Sequence, residues 1–200
     1  MQRWLTAAAA FLAVSISAQE RRTTGSLERP FASGGLVKMD LSAGDYRIAG
    51  APRDRVRIDW SVRDPEVLDQ VKTGVDIRDR EMRIATDGPS SKGLRFTIEV
   101  PSRSDLYVRL SAGDLTIEEI SGNKDVELRA GDLRIDVGRA DDYKKVDAGS
   151  WAGDIKASAF QVFKSGLFRS FEWAGKGSYR LHAHLLAGDL YLYSKDEAGR

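Results

Sequence analysis

From residue 36 onward the chain alternates apolar and polar positions with a period of two: Val56, Ile58 and Trp60; Met82 and Ile84; Phe96, Ile98 and Val100; Leu106, Val108 and Leu110. Such alternation predicts strands with one face buried and the other in water. It breaks over 64–74, where Asp64 stands as an N-cap, Pro65 falls in the first turn and Val67, Leu68 and Val71 share one side. This predicts one short helix of about two turns, packed on a sheet edge and ending at Lys72-Thr73-Gly74. A helical turn or a loop is expected at 140–144, and Pro89 and Pro101 mark strand ends.

A second pattern overlies the first. Ala-Gly-Asp followed by an apolar residue occurs five times, as SAGDYRI (42–48), SAGDLTI (111–117), RAGDLRI (129–135), WAGDIKA (151–157) and LAGDLYL (186–192). At every copy the apolar parity flips. Val37, Met39 and Leu41 give way to Tyr46 and Ile48, Leu106, Val108 and Leu110 to Leu115 and Ile117, and Val126 and Leu128 to Leu133 and Ile135. Val146 and Ala148 likewise give way to Ile155 and Ala157, and Leu181, Ala183 and Leu185 to Leu190 and Leu192. A straight strand cannot do this without turning its apolar set toward water, so each Gly-Asp is a bulge or a corner. Glycine supplies the backbone freedom, and aspartate can accept hydrogen bonds from amides that the corner leaves unpaired. The structural corners are Gly44 and Asp45, Gly113 and Asp114, Gly131 and Asp132, Gly153 and Asp154, and Gly188 and Asp189. Their glycines lie 69, 18, 22 and 35 residues apart; the short spacings suit one rung of a stack, and the long ones leave room for rungs with a decayed motif such as GKGSYRL (175–181). The expected fold is all-β: a stack of short strands with Gly-Asp corners, as a β-solenoid or a flattened two-sheet barrel.

The N-terminus adds a location. Arg3, the apolar stretch Leu5 to Ile16 and the small residues up to Ala18 read as a signal peptide over 1–18, too short to span a membrane uncleaved. A polar leader over 19–34 is expected to be flexible, with the folded domain at 35–193 and a polar tail at 194–200. There is no cysteine, which removes disulfides, thiolate metal sites, cysteine nucleophiles and a lipid-bearing cysteine. Beyond residue 18, basic and acidic residues balance at 30 each without blocks, so neither nucleic acid nor an anionic membrane is an expected partner. The expectation is an exported protein, periplasmic or extracellular, with no transmembrane span in the mature chain.

On these residues the chain resembles the DUF4097 family of adhesin-like exported bacterial proteins, with their repeated Gly-Asp-apolar-x-apolar strands. The resemblance is carried by FTIEVPSRSDLYVRLSAGDLTIEEISG (96–122), VELRAGDLRIDV (126–137), WAGDIKA (151–157) and GKGSYRLHAHLLAGDLYL (175–192), and it covers roughly 35–193. It implies a right-handed β-solenoid-like fold and an envelope or extracellular location. It implies no catalytic or binding residues.

Candidate chemistry is sparse. Stacked corner aspartates could bind Ca2+ and stabilise the repeat, but one carboxylate per rung falls short of its six to eight oxygen ligands, and the reading here is corner-capping. His182 and His184, an i, i+2 pair on a strand, share one face in a geometry that can bind zinc or nickel. With Arg180 beside them and a third ligand required from elsewhere, they read as a solvated face. No nucleophile elbow, zincin, Walker or dinucleotide motif is present, and the acid pairs Glu118-Glu119 and Asp141-Asp142 are adjacent in sequence, so on a strand each pair would point to opposite faces rather than across a substrate. No enzymatic activity, cofactor or bound metal is expected. The aromatic segment AFQVFKSGLFRSFEW (159–173) is read as a lid on the last rung or, where exposed, as a contact for a protein or glycan partner, with Trp151 beside it. Tyr191 and Tyr193 are expected as an outward pair. The functional expectation is a non-catalytic interaction or scaffold module, the alternatives being a carbohydrate-binding or carbohydrate-processing parallel β-helix and a Ca2+-stabilised repeat protein.

Overall fold

The computed structural model describes residues 23–89 and 93–195; the expected signal peptide, the first residues of the leader and the last five of the tail lie outside the described residues. Among the described residues the chain forms β1 (Thr24–Pro30), β2 (Leu36–Leu41), β3 (Asp45–Ala51), β4 (Arg55–Ser61), β5 (Lys72–Arg78) and β6 (Glu81–Asp87). Then follow β7 (Arg95–Pro101), β8 (Asp105–Leu110), β9 (Leu115–Glu118), β10 (Lys124–Ala130), β11 (Leu133–Asp136) and β12 (Tyr143–Ala152). The last are β13 (Ile155–Ala157), β14 (Val162–Lys164), β15 (Leu167–Ala174), β16 (Tyr179–Ala187) and β17 (Leu190–Tyr193).

The fold is all-β, in two sheets that share one core. The nine-stranded sheet runs β1-β4-β7-β3-β9-β11-β17-β13-β14 and the eight-stranded sheet β15-β12-β16-β10-β8-β2-β6-β5. Six units, β2–β3, β6–β7, β8–β9, β10–β11, β12–β13 and β16–β17, each give a first strand to the smaller sheet and a second to the larger. Within each sheet these six strands are mutually parallel. The strands outside them, β1 with β4, β5, β14 and β15, pair antiparallel at the ends. The units do not stack in chain order: from one end they run β12–β13, β16–β17, β10–β11, β8–β9, β2–β3, β6–β7.

The side-chain parity dictates the core. Met39, Ile84, Val108, Val126, Ala183 and Ala148 align in one buried row of the smaller sheet, and Tyr46, Phe96, Leu115, Leu133, Leu190 and Ile155 in one of the larger. Each aliphatic side chain buried this way contributes about 1.5–3 kcal/mol. Tyr46 stacks on Phe96 at 4.7 Å between ring centroids, and its hydroxyl hydrogen-bonds Thr86 at 2.7 Å.

Three expectations need correction. The segment read as a flexible leader contains β1, which pairs with β4; Leu27 lies opposite Ile58, and Gly25 leaves the space that the Trp60 indole fills, since a Cβ there would come within 2.2 Å of it. The helix forms, capped by the Asp64 carboxylate accepting from the Glu66 amide, but as a 3-10 helix over Pro65–Gln70. Lys72-Thr73-Gly74 begins β5 instead of ending it, because Thr73, Val75 and Ile77 alternate in register against β6. The 69-residue spacing does hold a rung without the motif, β6–β7, beside the antiparallel β4 and β5, but the 35-residue spacing holds the antiparallel β14 and β15, and GKGSYRL is the turn from β15 into β16, where Gly177 N–H bonds Tyr143 O at 3.1 Å.

One core position carries a charge-bearing group. Lys124 occupies the inward row between Leu106 and Leu181 and is 2% exposed. Its Nζ donates to Ile120 O at 2.8 Å, Gly122 O at 3.3 Å and the Tyr143 hydroxyl at 2.8 Å. Burial pushes its ammonium down to about 8, against the opposing pull of Asp136, Asp105 and Asp142. Burial also pushes the Tyr143 phenol up. Because the folded-state pKa of Lys124 lies below the unfolded value of about 10.4, the unfolded chain holds the extra proton between these limits, and stability rises with pH across that window. The buried tyrosines act in the opposite sense only above about pH 10. The unfolding free energy is therefore expected to climb from pH 8 to pH 10, with a slope approaching about 1.4 kcal/mol per pH unit for one proton, and urea unfolding across that range reads it. Lys124→Met should abolish that climb; equal profiles for the two proteins would refute the assignment.

Candidate functional site

The five Gly-Asp corners stack on one another in the order of the units. Gly44 N–H bonds Ala112 O, Gly113 N–H bonds Ala130 O, Gly131 N–H bonds Ala187 O and Gly188 N–H bonds Ala152 O, all at 2.9–3.0 Å, so the parallel ladder continues around the bend. Gly113 and Gly131 have φ of +114° and +126°, and a Cβ on Gly131 would stand 2.2 Å from Gly113 O. The aspartates form a second ladder: Oδ1 of Asp114, Asp132 and Asp189 accepts the backbone N–H of Asp132, Asp189 and Asp154 at 3.1, 3.1 and 2.9 Å. The outer oxygens meet cations, Asp132 with Arg134 and Asp189 with Lys156. These amide and lysine contacts hold the Asp189 carboxyl below its ordinary range.

The chemistry that sequence reasoning left open lies on the outer face of the eight-stranded sheet. Three rows cross that face. In the first, Glu172, Asp147, His182, Asp125, Tyr107 and Lys38 lie side by side across six strands. In the second, Gly149, His184, Glu127, Arg109 and Asp40 follow one another. The third is apolar at one end: the registers Ser150↔Leu185 and Ser150↔Arg169 set Leu186, Trp151 and Phe168 in line on three strands. Trp151 meets Phe168 edge-on at 5.5 Å, and these side chains are 48%, 53% and 69% exposed in that order along the row, with Leu167 beside them at 62%. The aromatic segment thus divides: Phe160 and Phe171 are buried under the end of the stack with Trp173 against them, while Phe168 and Phe163 face out.

The two histidines meet a partner invisible along the sequence. His182 Nδ1 lies 3.2 Å from Asp147 Oδ2 and His184 Nε2 3.2 Å from Asp147 Oδ1, and the two rings stack at 4.3 Å. Burial works to raise the Asp147 pKa, but hydrogen bonds and charge from His184 and His182 outweigh it and hold the carboxyl low. Gly149, opposite His184, leaves the imidazole its place; a Cβ there would come within 3.0 Å of the ring. Across β16, Arg109 clamps Asp125 at 2.9 Å and Glu127 at 3.2 Å while lying over the Tyr107 ring. Asp147 arrives from β12 and Asp125 and Glu127 from β10 because β16 lies between those strands.

Of the remaining acids, Glu118 is paired with Arg47 and Lys195, and Glu119 occupies a left-handed position with φ of +59°. Asp141 and Asp142 lie in the 3-10 turn Ala140–Asp142. Tyr191 and Tyr193 are half-buried on the outer side of the larger sheet; Tyr191 donates to Asp189 at 3.1 Å, and Tyr193 bonds Glu118 at 3.3 Å.

No family model matches the chain, and no curated protein does. Among solved structures, a candidate cell adhesion protein from Clostridium sporogenes aligns with a TM-score of 0.57 at 11% identity, over 86% of this chain and all of that one. The fold is therefore shared. Candidate adhesins from Parabacteroides merdae and Parabacteroides distasonis align over 86% and 85% of this chain and 96% and 97% of their own, at 10% and 12% identity and TM-scores of 0.26; at that score they carry no argument.

The corner geometry sets two graded outcomes. Gly131→Val places a branched side chain against the Gly113 carbonyl at a positive φ and should cost more than about 3 kcal/mol, or prevent folding. Asp132→Ala leaves the Asp189 amide without its acceptor and should cost about 1–2 kcal/mol. Urea unfolding of both variants checks the order; an Asp132→Ala effect as large as that of Gly131→Val would refute this reading of the ladder.

Proposed function

We propose that this chain is an exported, non-catalytic, adhesin-like interaction module, a β-solenoid-like stack that offers the Leu186–Trp151–Phe168 row to a protein partner in the cell envelope or outside the cell. The observation that carries this reading is the row itself: large apolar side chains from three adjacent strands lie exposed side by side on a face whose other rows are charged. Exposed apolar patches with indole and phenyl groups at a polar rim mark contact surfaces, and here Arg129 flanks Leu186 through the β10–β16 register. The fold shared with the Clostridium protein supports the reading, as does the expected signal peptide. Among the described residues no helix is long and apolar enough to cross a membrane.

In this reading the Gly-Asp corners are structural. Each inner Oδ1 from Asp114 through Asp189 already serves a backbone amide, which leaves too few free oxygens for a Ca2+ shell. A protein partner is favoured over a glycan because leucines, rather than polar side chains, adjoin the aromatic pair.

A solid-phase assay of the full chain against immobilised matrix proteins, peptidoglycan and polysaccharides tests the proposal, with a Trp151→Ser/Phe168→Ser variant alongside. Saturable binding to a protein, weakened on the order of 30-fold in the variant at an unchanged melting temperature, is the expected result. Binding to polysaccharide alone, or equal binding by the variant, would overturn it.

A further inference from the structure

We infer that Asp147, His182 and His184 form a binding site for a zinc-class divalent cation on the outer face of the eight-stranded sheet, separate from the apolar row. The three side chains present two imidazole nitrogens and a carboxylate whose ligating atoms all lie within 4.8 Å of one another. A tetrahedral ion with bonds of about 2.0–2.1 Å needs neighbouring ligand atoms roughly 3.3 Å apart, from the bond lengths alone. The observed N···O separations are 3.2 Å, from His182 to Oδ2 and from His184 to Oδ1, so each nitrogen stands about one coordination edge from one of the two carboxylate oxygens, and the carboxylate faces both rings.

The scaffold holds this arrangement. His182 and His184 are an i, i+2 pair on β16, whose inward neighbours Leu181, Ala183 and Leu185 are buried, so both rings are fixed on the outer face. Asp147 lies opposite His182 on β12 in parallel register, and Gly149 opposite His184 makes room for the second ring. Among the described residues the ion-pair partners of Asp147 are the two histidines, so its charge is available to a cation.

A second trio, Asp125, Glu127 and His182, also brings its ligand atoms together, but both its carboxylates are engaged by the Arg109 guanidinium. A cation there would displace a fixed positive charge. The donor set selects the ion. Two imidazoles suit zinc, nickel or copper, whereas Ca2+ and Mg2+ prefer all-oxygen shells. Three protein ligands leave one position open, and the side chains are 34–39% exposed, so that position faces solvent.

Isothermal titration of the full chain with ZnCl2 tests the site, with CaCl2 as the comparison ion. One equivalent of Zn2+ should bind and Ca2+ should not. His182→Gln/His184→Gln should lower Zn2+ affinity by at least the roughly 10- to 100-fold that loss of an outer-shell partner costs, and Asp147→Asn should weaken it too. All these positions are on the outer face, and circular dichroism melts in metal-free buffer check that the variants fold. Wild-type binding no tighter than that of the double variant would overturn the site. Loss of binding in Glu127→Gln with none in Asp147→Asn would overturn the assignment in favour of the second trio.

Discussion

The structure depends on how closely one corner can approach the next. At each bend the carbonyl of one glycine lies where the Cβ of the next would be, and that contact sets the spacing at which the ladder passes from one sheet to the other. Only glycine permits it. The aspartate that follows closes the same step electrostatically, its carboxylate oxygen receiving the amide of the neighbouring aspartate. With the corners fixed, the strands on either side have their inward rows aligned, and a core without disulfides is held in register by the backbone ladder and the aspartate ladder together.

Much of this was legible in the sequence. The parity flip at each Ala-Gly-Asp identified the corners and the inward residues on both sides, because a period of two leaves no freedom once one face is buried. The end strands were less legible. TGSLERP (24–30) carries a single large aliphatic residue, and its place in a sheet depends on Trp60 filling the space above Gly25, a contact that sequence alone cannot supply. Lys124 was hidden for the opposite reason: its charge masked an inward position that register assigns to the core.

The histidine cluster shows where local reading ends. The pair on one strand face was evident, and the need for a third ligand was clear, but Asp147 is 35 residues away from His182. It becomes a neighbour only because the last unit, β16–β17, enters the stack between two earlier ones. Spacing along the chain carries no sign of that insertion, since the β16–β17 corner carries the same Ala-Gly-Asp as the four corners before it.

The inserted unit also governs when the molecule can be completed. The units from β2 to β11 can each find a parallel neighbour among themselves, but the one parallel partner of β12 is β16, which ends at Ala187. Until nearly the whole chain is available, β12 has only the antiparallel β15 to pair with and cannot join the stack. Closure of this end is thus a late, long-range step, of the kind in which loop-closure entropy is lost before contacts compensate it. A chain built this way stays open at one end until β16 has been made, and that end is the last to lock.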